Sequence, residues 1–178
     1  MEVSLKQDVT PVLVGKQHNS ILQFSVDVPE KSYPMLSELI ISAQGTTNIK
    51  DIKQVSIFYT GSKASLSSRS QFGKSLRAEG KMSFLGNIRL NPGENHFWVS
   101  YEMKNDTDIL GKVDAACLAL KFTDGTLLQP KIASPSGVKR LGHALRKAGD
   151  DGVHTYRIPA LTRSNKGTLL AVYDVRRK

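Results

Sequence analysis

The chain has 178 residues, 39% of them hydrophobic and 7% aromatic, with 25 lysines and arginines against 16 acidic residues and a formal net charge of +9. That length and apolar content suit one real core with an appendage; no window approaches the run of about 20 apolar residues that a membrane helix needs, and Met1-Glu2-Val3-Ser4-Leu5-Lys6 does not read as a signal peptide. A single cysteine excludes an intrachain disulfide.

Residues 9–13 form a short apolar run that Pro11 limits to an edge strand or an extended arm, because proline cannot donate to a ladder. Residues 21–28 alternate with period two through Leu22, Phe24, Val26 and Val28, the mark of a half-buried strand. Residues 39–43 and 52–59 are further strands around a polar turn at 44–50. Residues 61–70 are a serine-rich loop, and 72–76 and 82–90 are short β pieces.

Asn91-Pro92-Gly93-Glu94-Asn95 is a turn fixed by proline and glycine, and it leads into a strand over 96–103. Phe97, Val99, Tyr101 and Met103 share its core face, which leaves Trp98 with His96, Ser100 and Glu102 on the other. Trp98 there either packs under a loop or serves as a platform for a sugar ring. His18 and His96 lack the spacing of metal ligands, and no HExxH or Cys/His grouping occurs, so neither a metal nor a cofactor is expected. The acidic loop at 105–111 lacks the closing glutamate of a calcium loop, and its Asn105-Asp106-Thr107 formally matches a glycosylation acceptor.

Residues 113–122 read as a packed strand with Cys117 as a buried thiol, followed by a turn at 123–126 and the pair Leu127-Leu128. Eight or more short β segments without a long helix make residues 1–130 an antiparallel β-sandwich. Residues 131–152, with Pro135, Gly137 and two basic pairs, read as a linker carrying one short helical turn around 141–147.

Residues 153–178 are a second region. An apolar run over 156–162, a polar turn at Ser164-Asn165-Lys166-Gly167 and a β-rich run over 168–173 make a hairpin. With the turn centred between Asn165 and Lys166, Arg157 falls opposite Asp174 and Thr155 opposite Arg176, so two arginines reach the open end. Such guanidinium groups are either solvated, with Arg157 paired to Asp174, or present fixed forks of donors to a carboxylate or phosphate. Residues 131–178 hold 11 basic and 3 acidic side chains, against 14 and 13 in residues 1–130. The charges are scattered and come with no recognition helix or aromatic RNA-binding strand, so no nucleic-acid partner is expected.

Tyr156-Arg157-Ile158-Pro159-Ala160-Leu161, the Lys166-Gly167-Thr168-Leu169-Leu170-Ala171 turn and strand, and Arg176 together resemble the opening of the catalytic domain of a bacterial or animal exo-α-sialidase. The segment from Leu90 to Tyr101 and Val113-Asp114-Ala115 are similar, more loosely, to the noncatalytic sandwich that precedes the propeller in some bacterial sialidases. The resemblance implies that residues 153–178 begin a six-bladed β-propeller. It gives Arg157 the grip on the sialic acid carboxylate and places Arg176 near the sugar's C4 hydroxyl. It puts the acid/base aspartate and the tyrosine–glutamate nucleophile pair beyond Lys178, so this chain alone is expected to be inactive. It also implies sialylated glycans or glycoproteins as substrates of the whole enzyme and an extracellular or periplasmic location. For the sandwich, two roles stay open: a carbohydrate-binding module with Trp98 as a contact, or a structural spacer.

Overall fold

The structure, a computed structural model, describes residues 1–66, 69–134 and 137–177. Ser67 and Ser68 of the expected serine-rich loop, Pro135 of the expected linker and the terminal Lys178 lie outside the described residues. The strands are β1 Glu2–Lys6, β2 Val12–Val14, β3 Asn19–Val28, β4 Met35–Ser42, β5 Ile52–Gly61, β6 Ser70–Gln71, β7 Met82–Arg89, β8 Gly93–Met103, β9 Lys112–Val113, β10 Ala116–Phe122, β11 Leu127–Leu128, β12 Lys139–His143, β13 Thr155–Arg163 and β14 Leu169–Arg176. Short 3₁₀ turns occur at Ile49–Asp51 and Asp150–Gly152. Among the described residues no helix is long and apolar enough to cross a membrane. The chain divides into two units, Met1–His143 and Ala144–Lys178.

The first unit is built from a five-stranded sheet in the order β1-β3-β8-β5-β6 and a four-stranded sheet in the order β11-β10-β4-β7, all antiparallel. Their period-two patterns put Leu22, Phe24, Val26 and Val28 of β3, Leu36, Leu39 and Ile41 of β4, and Phe97, Val99 and Tyr101 of β8 into one core. The Phe24 and Phe97 rings stack at 5.1 Å, and the Phe72 ring meets Phe97 edge-on at 6.3 Å. Burying a side chain of that size contributes about 1.5–3 kcal/mol, so this aromatic centre holds much of the unit together.

Several elements differ from the sequence expectation, each for a visible reason. The strand expected over 113–122 is broken into β9 and β10, which belong to different sheets. Between them the Asp114 carboxylate accepts from the Ala115 N–H at 2.8 Å, while its carbonyl accepts from the Tyr101 hydroxyl at 2.8 Å and Thr46 Oγ1 at 3.2 Å. The chain is thereby turned out of the ladder. The β piece expected at 72–76 contributes only a Val55–Leu76 bridge, since Gly73 takes a φ of +66° that ends regular pairing.

By its contacts the first unit runs on past residue 130, to His143. The helical turn expected around 141–147 is not formed. Instead β12 runs parallel to β2, with Leu141 opposite Val12, and antiparallel to β9, with Lys139 opposite Val113. Lys139 is 5% exposed, and its ammonium donates to the Ser20 carbonyl at 2.8 Å. Burial of the ammonium lowers its pKa. A buried lysine and a buried Leu141 two residues on are a strand pattern, which the surrounding glycines and basic residues disguise. The second unit is the β13–β14 hairpin with the residues that lead into it.

Candidate functional site

In the hairpin, Ser164 N–H donates to the Thr168 carbonyl and Gly167 N–H to the Ser164 carbonyl, both at 2.9 Å, with Gly167 at a φ of +86°. Residues 164–168 thus form a turn centred on Lys166, and the ladder leaves it with Arg163 opposite Leu169 and Ala160 opposite Val172. Between Ala160 and Arg157 the register shifts by one residue, after which Arg157 lies opposite Asp174 and Thr155 opposite Arg176. The expected pairing at the open end is therefore formed.

Directly opposed residues of an antiparallel pair point to one face, so Arg157, Asp174 and Arg176 share a side of the hairpin. The Asp174 carboxylate accepts from Arg176 Nε at 2.9 Å. Arg157, exposed, is not the arginine that Asp174 engages, and its fork of donors faces solvent. The local ion pair between Arg157 and Asp174 is not formed.

Tyr156, Arg157, Pro159, Tyr173 and Arg146 line a cleft of about 270 Å³. The Tyr156 and Tyr173 rings meet edge to face at 5.2 Å and 87°. The Tyr156 hydroxyl donates to the Asp150 carbonyl at 2.8 Å and to Asp151 Oδ2 at 3.3 Å, and the same Asp151 oxygen pairs with Arg146 Nε at 2.9 Å. Partial desolvation and the adjacent Asp151 carboxylate raise the Tyr156 phenol above its ordinary pKa. These contacts tie residues 146–151 to the base of the hairpin beside Arg157. Sequence reasoning passed over them, although Pro159 inside a strand was a signal that the ladder is interrupted there.

On the first unit, Trp98 is only 8% exposed, and its indole N–H donates to Thr60 Oγ1 at 3.4 Å. Beside it Phe58 is capped by the Arg69 guanidinium at 4.8 Å and by the His18 ring edge at 5.0 Å. Of the two readings of Trp98, packing is the one observed. Only part of the indole reaches a cleft of about 420 Å³ that Lys6, Gln23, Glu94 and His96 also line. At the glycosylation-type triplet, the Thr107 hydroxyl is buried and donates to the Lys104 carbonyl at 2.7 Å, so it serves the loop's own structure.

Residues 1–126 match the family model described as the N-terminal domain of BNR-repeat neuraminidase. The chain is 29% identical, over 98% of its length, to a curated protein named sialidase from Bacteroides fragilis (strain YCH46), of which it spans 36%. Among solved structures its fold is similar to that of Hadza microbial sialidase Hz136, with a TM-score of 0.76 and 23% identity over 97% of this chain and 37% of that one. Both likenesses extend past residue 126 into the second unit, and the chain spans about a third of the length of these relatives.

Proposed function

The chain belongs to the family of N-terminal domains of BNR-repeat neuraminidases, and on that premise we propose that it is the amino-terminal part of an exo-α-sialidase that removes terminal sialic acids from glycoconjugates outside the cell or in the periplasm. The observation that carries this reading is the open end of the hairpin. Arg157 is exposed, is passed over by Asp174 and shares a face with Arg176, so a permanently charged donor fork is left free for a carboxylate. Residues 153–178 are then the first strands of a propeller blade. In support, Ile158, Leu161, Leu169 and Val172 are 60–71% exposed, on a two-stranded hairpin that is marginal by itself and asks for further strands to cover it.

In this reaction Arg157 neutralises and orients the carboxylate of the sugar in both the ground and the transition state, and Arg176 contacts the same sugar. Protonation of the leaving oxygen and attack at the anomeric carbon fall to an aspartate and a tyrosine–glutamate pair outside this chain. Arg157→Ala in the full-length protein is expected to lower kcat/KM for a fluorogenic sialoside roughly ten- to hundredfold, as loss of a charge-assisted hydrogen bond does. The chain on its own is expected to give no turnover. Undiminished activity of the Arg157→Ala enzyme, or hydrolysis by the isolated chain, would overturn the reading. For the sandwich, burial of Trp98 supports the spacer role over sugar stacking.

A further inference from the structure

Two features of the hairpin stand next to each other in the chain. The first is the backbone of Ile158, whose φ is +51°. A β-branched residue is strongly disfavoured there, and the residue before a proline is ordinarily held extended. The Ile158 side chain is 71% exposed, so packing within the second unit does not offset the strain. The second is the register shift: Ile158 and Pro159 together stand opposite Tyr173 alone, which is a β-bulge.

The ladder shows what the bulge changes. The turn sets Arg163 opposite Leu169 and Ala160 opposite Val172. Continued without interruption, that register places Arg157 opposite Val175. Val175 lies on the other face of β14 from Asp174 and Arg176, since alternate residues of a strand point to opposite sides and a slip of one residue inverts the whole set. With the extra residue absorbed at Ile158–Pro159, Arg157 faces Asp174 and joins Arg176.

We propose that the Ile158–Pro159 bulge is a register switch that assembles the two-arginine face, with the strained Ile158 and the ladder-breaking Pro159 as positioning residues for Arg157. The inference rests on the sialic acid reading only for what the two arginines hold; the register claim stands separately. Proline supplies no N–H to the ladder at 159, which removes one reason for the straight register to form. Strain kept at a single residue beside a binding group is a recurrent way of holding such a group in place.

The test uses the full-length protein and two readouts. Register is read by disulfide trapping. The pair Arg157→Cys/Asp174→Cys is expected to cross-link and Arg157→Cys/Val175→Cys not to, and adding Pro159→Val, which restores the donor and a strand-forming side chain, is expected to reverse that preference. Function is read by kinetics on a fluorogenic sialoside with the cysteines absent. Pro159→Val is expected to raise KM roughly tenfold or more with a smaller change in kcat. Cross-linking of position 157 to 175 in the presence of Pro159, or an unchanged 157–174 preference in Pro159→Val, overturns the register switch whatever the activity. A reversed preference with unaltered KM upholds the switch and overturns the role of Arg157 in carboxylate binding. If Pro159→Val does not fold, Pro159→Ala, which restores the N–H without a branched side chain, decides: it must shift the cross-link from 157–174 toward 157–175 and raise KM, and an unchanged 157–174 preference overturns the proposal.

Discussion

Cys117 sits in β10 with no solvent exposure, and burial pushes its thiol up to about 12 from an ordinary 9.0. The thiolate is the reactive species, so Cys117 is expected to resist alkylation in the native protein and to label only at the rate of unfolding, as mass spectrometry with and without denaturant will show. The same shift gives a pH dependence. Below about pH 9 the thiol is protonated folded or unfolded, and between 9 and 12 only the unfolded chain gives up the proton, so stability falls as pH rises through that window. Lys139 acts with the opposite sign, because its lowered pKa lets the fold shed a buried charge as the solution becomes alkaline. The informative measurement is therefore the difference in melting temperature between wild type and Cys117→Ala, which is expected to shift in favour of the variant above pH 9. Within the hairpin a single residue decides a similar question of charge. Asp174 pairs with Arg176, and Arg157 stays exposed.

The elements repeat a lesson about which signals travel through sequence alone. Strands β3 and β8 were readable because Leu22, Phe24, Val26 and Val28, and Phe97, Val99, Tyr101 and Met103, alternate without interruption. For Trp98 the sequence offered packing beside sugar stacking, and what decides for packing is Phe58 and Thr60 of β5, which only the assembled sheet brings to that face. In the hairpin, the pairing of Arg157 with Asp174 was anticipated from a turn half a residue away from the true centre. The bulge at Ile158–Pro159 supplied the compensating shift. Short connecting segments carry their own constraints. At Gly73 the φ of +66° is left-handed, and a Cβ there would run into the Leu85 carbonyl of β7. Gly73→Ala is accordingly expected to destabilise the first unit by about 1–3 kcal/mol, read from urea midpoints. Gly80→Ala, with open space around its ideal Cβ and no left-handed backbone, is expected to be nearly neutral in the same titration.

For the whole molecule, the boundary between the units matters more than their number. Sequence composition ended the sandwich at residue 130, because glycine, proline and basic pairs look like a tether. Lys139 and Leu141 show instead that the chain returns to the first unit before leaving it. A protein ending at His143 is expected to melt in one cooperative step. One ending at residue 130, stripped of β12 and with Val12 and Val113 uncovered, is expected to melt roughly 5 °C or more lower, or to lose its transition, by differential scanning calorimetry. The parallel pairing of β2 with β12 has a further consequence for synthesis. A nascent chain emerging from the ribosome can zip β3 to β8 early, but Val12 must wait for Leu141. Until then β2 has no strand beside it, and its unpaired backbone is where a chaperone would find it.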